Sequence, residues 1–206
     1  MKITATEMKN YNINSRIINW FAKEFPQGST PDEIIKKATK EPIYIDDVNW
    51  MLGNKKPSYI SDINWILVNF MTLNEQRRYS LFAGKKALQL IEPKFNVNRL
   101  RKAIKASERV LKNDKHSTRL KALNIADAVC LETDGTPMVS NAVFSIVHTA
   151  ITAAAPEAAT TAADEATTYA ITAFTWANDK KTINTILLYG ASLMNKYKTQ
   201  EISYEH

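Results

Sequence analysis

An all-α fold is what this sequence predicts, and three observations carry the prediction. Small residues recur at helical spacing late in the chain: Ala159, Ala162/Ala163, Ala166, Ala170, Ala173 and Ala177. Steps of three or four place them on one helical face, and alanine has the highest helix propensity of any residue. Glycine is scarce, 5 in 206 residues, fewer than a β-sandwich or a nucleotide-binding α/β fold usually carries in its turns. Hydroxyl and proline start signals also precede apolar stripes along the chain. With 45% hydrophobic and 23% charged residues, the composition suits one main core with a small module attached. The expected architecture is a helical bundle with an Ala-rich helical hairpin and a small N-terminal helical module. The expected boundaries are 1–72 for the module, 73–198 for the bundle and 199–206 for a flexible tail.

The module reads as a string of short helices. Thr4 caps the first, with Glu7 three residues on in capping-box position. Ile13, Ile17, Trp20, Phe21 and Phe25 form the stripe of a second, which Pro26-Gln27-Gly28 closes. Ser29-Thr30-Pro31-Asp32-Glu33 opens a third: a hydroxyl N-cap, proline at the first helical position and two acids facing the helix dipole. A short repeat follows, Asp47-Val48-Asn49-Trp50-Met51-Leu52 recurring as Asp62-Ile63-Asn64-Trp65-Ile66-Leu67. Each copy reads as a helix opening with Trp and Leu turned to the core, and Gly53–Ser58 between them reads as a loop.

The bundle begins with a helix over 74–92, whose apolar stripe is Leu81, Phe82, Leu88 and Ile91, ended by Pro93. Asn96-Val97-Asn98 caps the next, over 98–112, with Leu100, Ile104, Ser107 and Leu111 inward. Arg119–Leu131 forms another on Leu120, Leu123, Ile125/Ala126 and Val129/Cys130. Thr133–Pro137 is a turn into the Ala-rich hairpin, whose apolar bulk comes from Tyr169, Phe174, Trp176, Ile183, Ile186, Leu187 and Leu188. Lys180–Lys198 is the closing helix.

The single cysteine, Cys130, excludes an internal disulfide framework and fits a reducing compartment. The N-terminus lacks the apolar core of a signal peptide. Met138–Ala155, the most apolar stretch, carries Asn141, His148 and several hydroxyls, which reads as too polar and too short for a membrane span. The expectation is a cytoplasmic protein with no membrane partner.

Chemistry-bearing residues concentrate in one basic region. Lys85, Lys86, Lys94, Arg99, Arg101, Lys102, Lys105, Arg109, Lys112, Lys115, Arg119 and Lys121 face only Glu92, Glu108 and Asp114, in a chain of net charge +6. Arg101, Lys105, Arg109 and Lys112 share a helical face. Such a stripe can be a solvated outer face, a grip on an acidic protein partner or anionic ligand, or a phosphate-neutralising surface for nucleic acid. No aromatics interleave it as a single-strand stacking platform requires.

Other chemistry is sparse. His116, His148 and His206 form no metal-binding pair, and Ser145 and Ser192 lack a nucleophile elbow. Ala83-Gly84-Lys85-Lys86 lacks both the upstream glycine and the hydroxyl of a phosphate loop. His148, Asp164 and Glu165 could line a groove on the Ala-rich hairpin as an acid–base or ligand pocket. No catalytic residue, metal or cofactor is expected.

Residues 77–190 resemble a family of bacterial immunity proteins from polymorphic-toxin loci, with phage relatives. The likeness lies in Arg77, Leu81-Phe82-Ala83, Ala87-Leu88, Ile91, Phe95 and Asn98-Arg99-Leu100-Arg101-Lys102-Ala103-Ile104-Lys105-Ala106, followed by the Ala-rich pair. Leu100 stands where that family has proline, and Lys105 where it has glutamate. Trp20-Phe21, Phe25-Pro26-Gln27-Gly28 and the turn at Asp47, Trp50 and Leu52 resemble a small module of uncharacterised phage proteins. These resemblances imply a non-enzymatic binding protein of immunity or anti-defence type that occludes its partner. The expected contact residues are Arg99, Arg101, Lys102, Lys105 and Arg109; a nucleic-acid accessory role and a small-anion binder are the alternatives.

Overall fold

The structure, a computed structural model, describes residues 2–38 except 12 and 14, then 59–93, 97–129 and 136–196. The first copy of the repeat, the Gly53–Ser58 loop, Lys94, Cys130, the start of the turn at Thr133 and the tail beyond 198 lie outside the described residues. The chain is all-α. Among the described residues there are ten α-helices, one 3₁₀ turn at Pro156–Ala158, and no strand. Contacts divide it into two compact units, Met1–Met71 with Leu187–His206, and Thr72–Ile186.

The first unit holds α1 (Ala5–Lys9), α2 (Ser15–Glu24), α3 (Pro31–Ala38) and α4 (Tyr59–Asn69). The Thr4–Glu7 capping box forms in both directions, with Glu7 N–H donating to Thr4 Oγ1 and Thr4 N–H to Glu7 Oε2. Thr30 caps α3 in the same reciprocal way with Glu33, whose carboxylate also accepts from Ser29 Oγ at 2.7 Å. These bonds hold the Glu33 carboxyl below its ordinary pKa. Gly28 adopts a left-handed φ of 72°, and a side chain there would meet the Ile3 carbonyl. That turn lets Ile3 and Ser29 exchange both backbone bonds, the isolated antiparallel bridge of this unit.

Ile13, Ile17 and Phe21 are buried, while Trp20 is half-exposed and meets Phe25 edge-on at 6.0 Å. In α4 the core positions are Ile63, Ile66 and Leu67, and Trp65 is only half-buried. The core therefore takes the i, i+3, i+4 aliphatics of the second repeat copy and leaves its tryptophan at the edge.

The second unit comprises α5 (Leu73–Ile91), α6 (Asn98–Lys112), α7 (His116–Val129), α8 (Pro137–Ala154), α9 (Ala159–Trp176) and the start of α10 (Lys180–Lys196). Helix α8 packs against α5, α6, α7 and α9. It is long and apolar enough to cross a membrane, with mean hydropathy 1.2, where the sequence reading expected too little length and apolarity; 56% of it is buried inside the fold. A helix in contact with four others needs apolar residues on most of its circumference.

Small residues let these helices approach closely. Ala159, Ala162, Ala163, Ala166, Ala170 and Ala173 are all buried on α9. The threonines between them are tolerated because each hydroxyl returns to its own helix: Thr167 Oγ1 donates to Ala163 O, Thr172 to Thr168 O and Thr175 to Ile171 O. The same device satisfies Thr149 and Thr152 on α8.

On α5 the buried face runs through Ser80, Ala83, Gly84, Ala87 and Ile91, whereas Phe82 and Leu88 are only half-buried. Of the expected stripe, Leu81 and Ile91 are buried, and Phe82 and Leu88 give way to smaller residues. The reason for the shift is close packing on α8: a Cβ added at Gly84 would sit 2.5 Å from Thr149 Oγ1. Likewise α7 buries Ala122, Ala126 and Val129 and leaves Leu120 49% exposed, and Trp176 and Leu188 stand 42% and 48% exposed rather than in the core. Helix α9 ends on Asn178, at φ 55°, with Asp179 N–H donating to Phe174 O and Asn178 N–H to Thr175 O, a Schellman closure. Asp179 then caps α10 by accepting from Thr182 N–H and Oγ1.

Candidate functional site

Helix α6 is the most strongly two-faced element of the second unit. Leu100, Ala103, Ile104, Ala106, Ser107 and Val110 are buried, and the opposite side is exposed and basic. At about 100° per residue, Arg101, Lys102, Lys105, Arg109 and Lys112 fall within one third of the circumference. Arg99, two positions before Arg101, lies about 200° round the axis; it is exposed, but the helix does not bring it to the same side.

Glu92, Glu108 and Asp114, the acids expected to face this basic region, are all engaged. Glu92 accepts from Arg101 Nε at 2.8 Å and also from its Nη2, and Asn98 Oδ1 takes the remaining Nη1. Glu108 pairs with Lys85 at 2.6 Å. What is left is a net cationic strip: among the described residues, Lys102, Lys105, Arg109 and Lys112 are exposed and no ion pair reaches them.

Beside the strip, a cleft of about 230 Å³ opens between α6 and α7. Ala106, Arg109, Thr118, Lys121, Asn124 and Ile125 line it. Its floor continues into a buried apolar cluster of Ala106, Val110, Ala122 and Ala153, against which Ile125 packs. Spacing on α6 places Arg109 on the basic side, but only the fold brings Lys121 opposite it.

Sequence reasoning also missed Arg77, which it noted only within a family likeness. Its side chain is 7% exposed and Nη1 donates to Asp114 Oδ2 at 2.8 Å, while Nε and Nη2 are buried without a partner. Arg119 Nε approaches the other carboxylate oxygen at 3.4 Å. The Arg77 hydrogen bond, reinforced by both positive charges, holds the Asp114 carboxyl below its ordinary pKa. A polar residue at the buried register of α5, between Leu73 and Ser80, was the available signal.

The hairpin residues come together in part. His148 Nδ1 lies 2.8 Å from Glu165 Oε2, without the alignment of a hydrogen bond, and the imidazole packs on Tyr169 at 5.3 Å. Burial pulls the His148 pKa below 6.5, against a weaker upward pull from Glu165. Asp164 sits where its charge acts on the fully buried Tyr79, whose phenol burial pushes well above the usual range. The arrangement supplies a neutral imidazole beside a half-exposed carboxylate. Among the described residues no cluster of three or more metal-ligating side chains forms.

Fold and surface together define an all-α protein with a cationic helix face beside an apolar-floored cleft. A family model described as the YdhT N-terminal domain matches residues 1–55. That likeness lies within the N-terminal module, stops before α4, and does not reach α6 or the cleft. No curated protein and no solved structure matches the chain.

Proposed function

We propose that this chain is a non-enzymatic binding protein that neutralises a partner by occlusion, using the basic face of α6. The observation that carries the reading is the run of exposed cations, Lys102, Lys105 and Arg109, which among the described residues form no ion pair, while Glu92 and Glu108 are already engaged elsewhere. Unpaired cations on a rigid helix steer an oppositely charged surface and raise its association rate. The partner class is therefore an acidic protein. Arg101 belongs to the face by position and contributes less, because Glu92 holds it.

The immunity or anti-defence type of this activity, in the cytoplasm, rests on the resemblance of residues 77–190. The test is affinity capture with the full chain from bacterial lysate, with and without nuclease, alongside K102E/K105E. An acidic protein retained after nuclease and lost with the charge-reversed variant supports the reading. Recovery that disappears with nuclease transfers the face to nucleic acid, and equal recovery by both chains refutes it.

A further inference from the structure

The α6–α7 cleft has the composition of a small-molecule site. Ligand pockets pair an apolar lining with a few convergent polar groups, and this one offers Ala106 and Ile125 as floor with Arg109 and Lys121 contributed from opposite helices. No acid is among the six lining residues. Among the described residues neither cation is spent on an ion pair: Glu108 is held by Lys85, and Asp114 by Arg77 and Arg119. An apolar ligand would make no use of either charge, and a cation would be repelled. A volume near 230 Å³ holds about eight water-sized groups, which bounds the apolar body of an occupant.

We infer that this cleft binds a small amphiphilic monocarboxylate, with its carboxylate between Arg109 and Lys121 and its apolar body over Ala106 and Ile125. Asn124, which also lines the cleft, can donate from its side-chain amide to the head group, whereas the Thr118 hydroxyl already donates to the backbone carbonyls of Asn113 and Lys115. Charge-assisted bonds to two cations supply orientation, and burial of the chain on the apolar floor supplies affinity. The site goes beyond the partner-binding role above, and it shares Arg109 with that role while Lys121 stands on α7 and is not one of the strip's residues.

The experiment is titration of the full, methyl-labelled chain with octanoate, octylamine and 1-octanol, followed by NMR. Octanoate is expected to saturate, with shifts centred on the methyls of Ala106, Ala122 and Ile125, and to bind about tenfold more tightly than octanol. K121Q and R109Q alter exposed side chains, so both are expected to fold normally; each should weaken octanoate about tenfold. Octylamine binding as tightly as octanoate, shifts centred elsewhere, or no saturation in the millimolar range would overturn the inference. K121Q also separates the two roles: loss of octanoate binding with partner capture intact assigns the cleft independently of the α6 face.

Discussion

Arg77 Nη1 donates to Asp114 Oδ2 at 2.8 Å, tying a buried position of α5 to the short connection between α6 and α7. The guanidinium is 7% exposed and the carboxylate 42%, so the charge that suffers if the pair breaks is the arginine. D114A leaves that cation buried and unpaired and should cost about 2 kcal/mol, a figure reduced from fully buried pairs because Asp114 is solvated. R77M removes the buried charge and its two unpartnered nitrogens, and should cost less than D114A. Urea denaturation of both variants checks the order; R77M as the more damaging of the two would contradict it.

Gly84 sets the spacing between α5 and α8, since an added Cβ would meet Thr149 Oγ1 at 2.5 Å and Ile104 Cδ1 at 3.1 Å. G84A should therefore destabilise by about 1–3 kcal/mol through overpacking, although alanine is the better helix former. T149A removes the nearest atom but also the hydroxyl bonded to Ser145 O. The double variant should lose less than the sum of the singles, and strict additivity in that cycle would show the two residues uncoupled.

Local signals carried most of the fold. Thr4 with Glu7, and Thr30 with Pro31 and Glu33, mark helix starts because each cap uses only residues within one turn. Thr72–Glu75 carries the same signature and forms the same reciprocal cap, so that start was readable too. Ala177, expected on the face of the α9 alanines, is the half-buried C-cap, whereas the buried ones from Ala159 to Ala173 followed from spacing alone. The inward face of α5 did not, because Gly84 and Ser80 face the core by virtue of Thr149 on another helix. For the same reason the stripe on α6 was legible, whereas its engagement by Glu92 and Lys121's place across the cleft required the tertiary fold.

Asn178 closes α9 at φ 55°. Glycine reaches that region at no steric cost, whereas alanine lacks both this freedom and the side-chain amide. N178G should match or exceed the wild-type stability by a few tenths of a kcal/mol, and N178A should lose about 1 kcal/mol. Thermal unfolding ranks the three; N178A equal to N178G would remove the left-handed cap from the account.

Acidification should weaken the fold in two windows. His148 has a folded pKa below 6.5 because it is buried. On lowering pH from neutrality, the unfolded chain takes up the proton first, so stability falls from about 6.5 down to the folded value and then levels. Asp114 and Asp179 are held below 3.8, by Arg77 and by Thr182 respectively. Their stabilisation is present above 3.8 and disappears as pH drops through their folded values. H148Q should flatten the upper window and leave the lower one; an unchanged upper slope would assign it to another group.

The central claim is that the unpaired cations of α6 recruit an acidic protein. Its most direct measurement is the association rate of the captured partner with the wild-type chain and with K102E/K105E, across a salt series. The account predicts association slowed about tenfold or more at low salt by the double variant, with a flattened salt dependence. Equal rates and equal salt slopes for the two chains would contradict it.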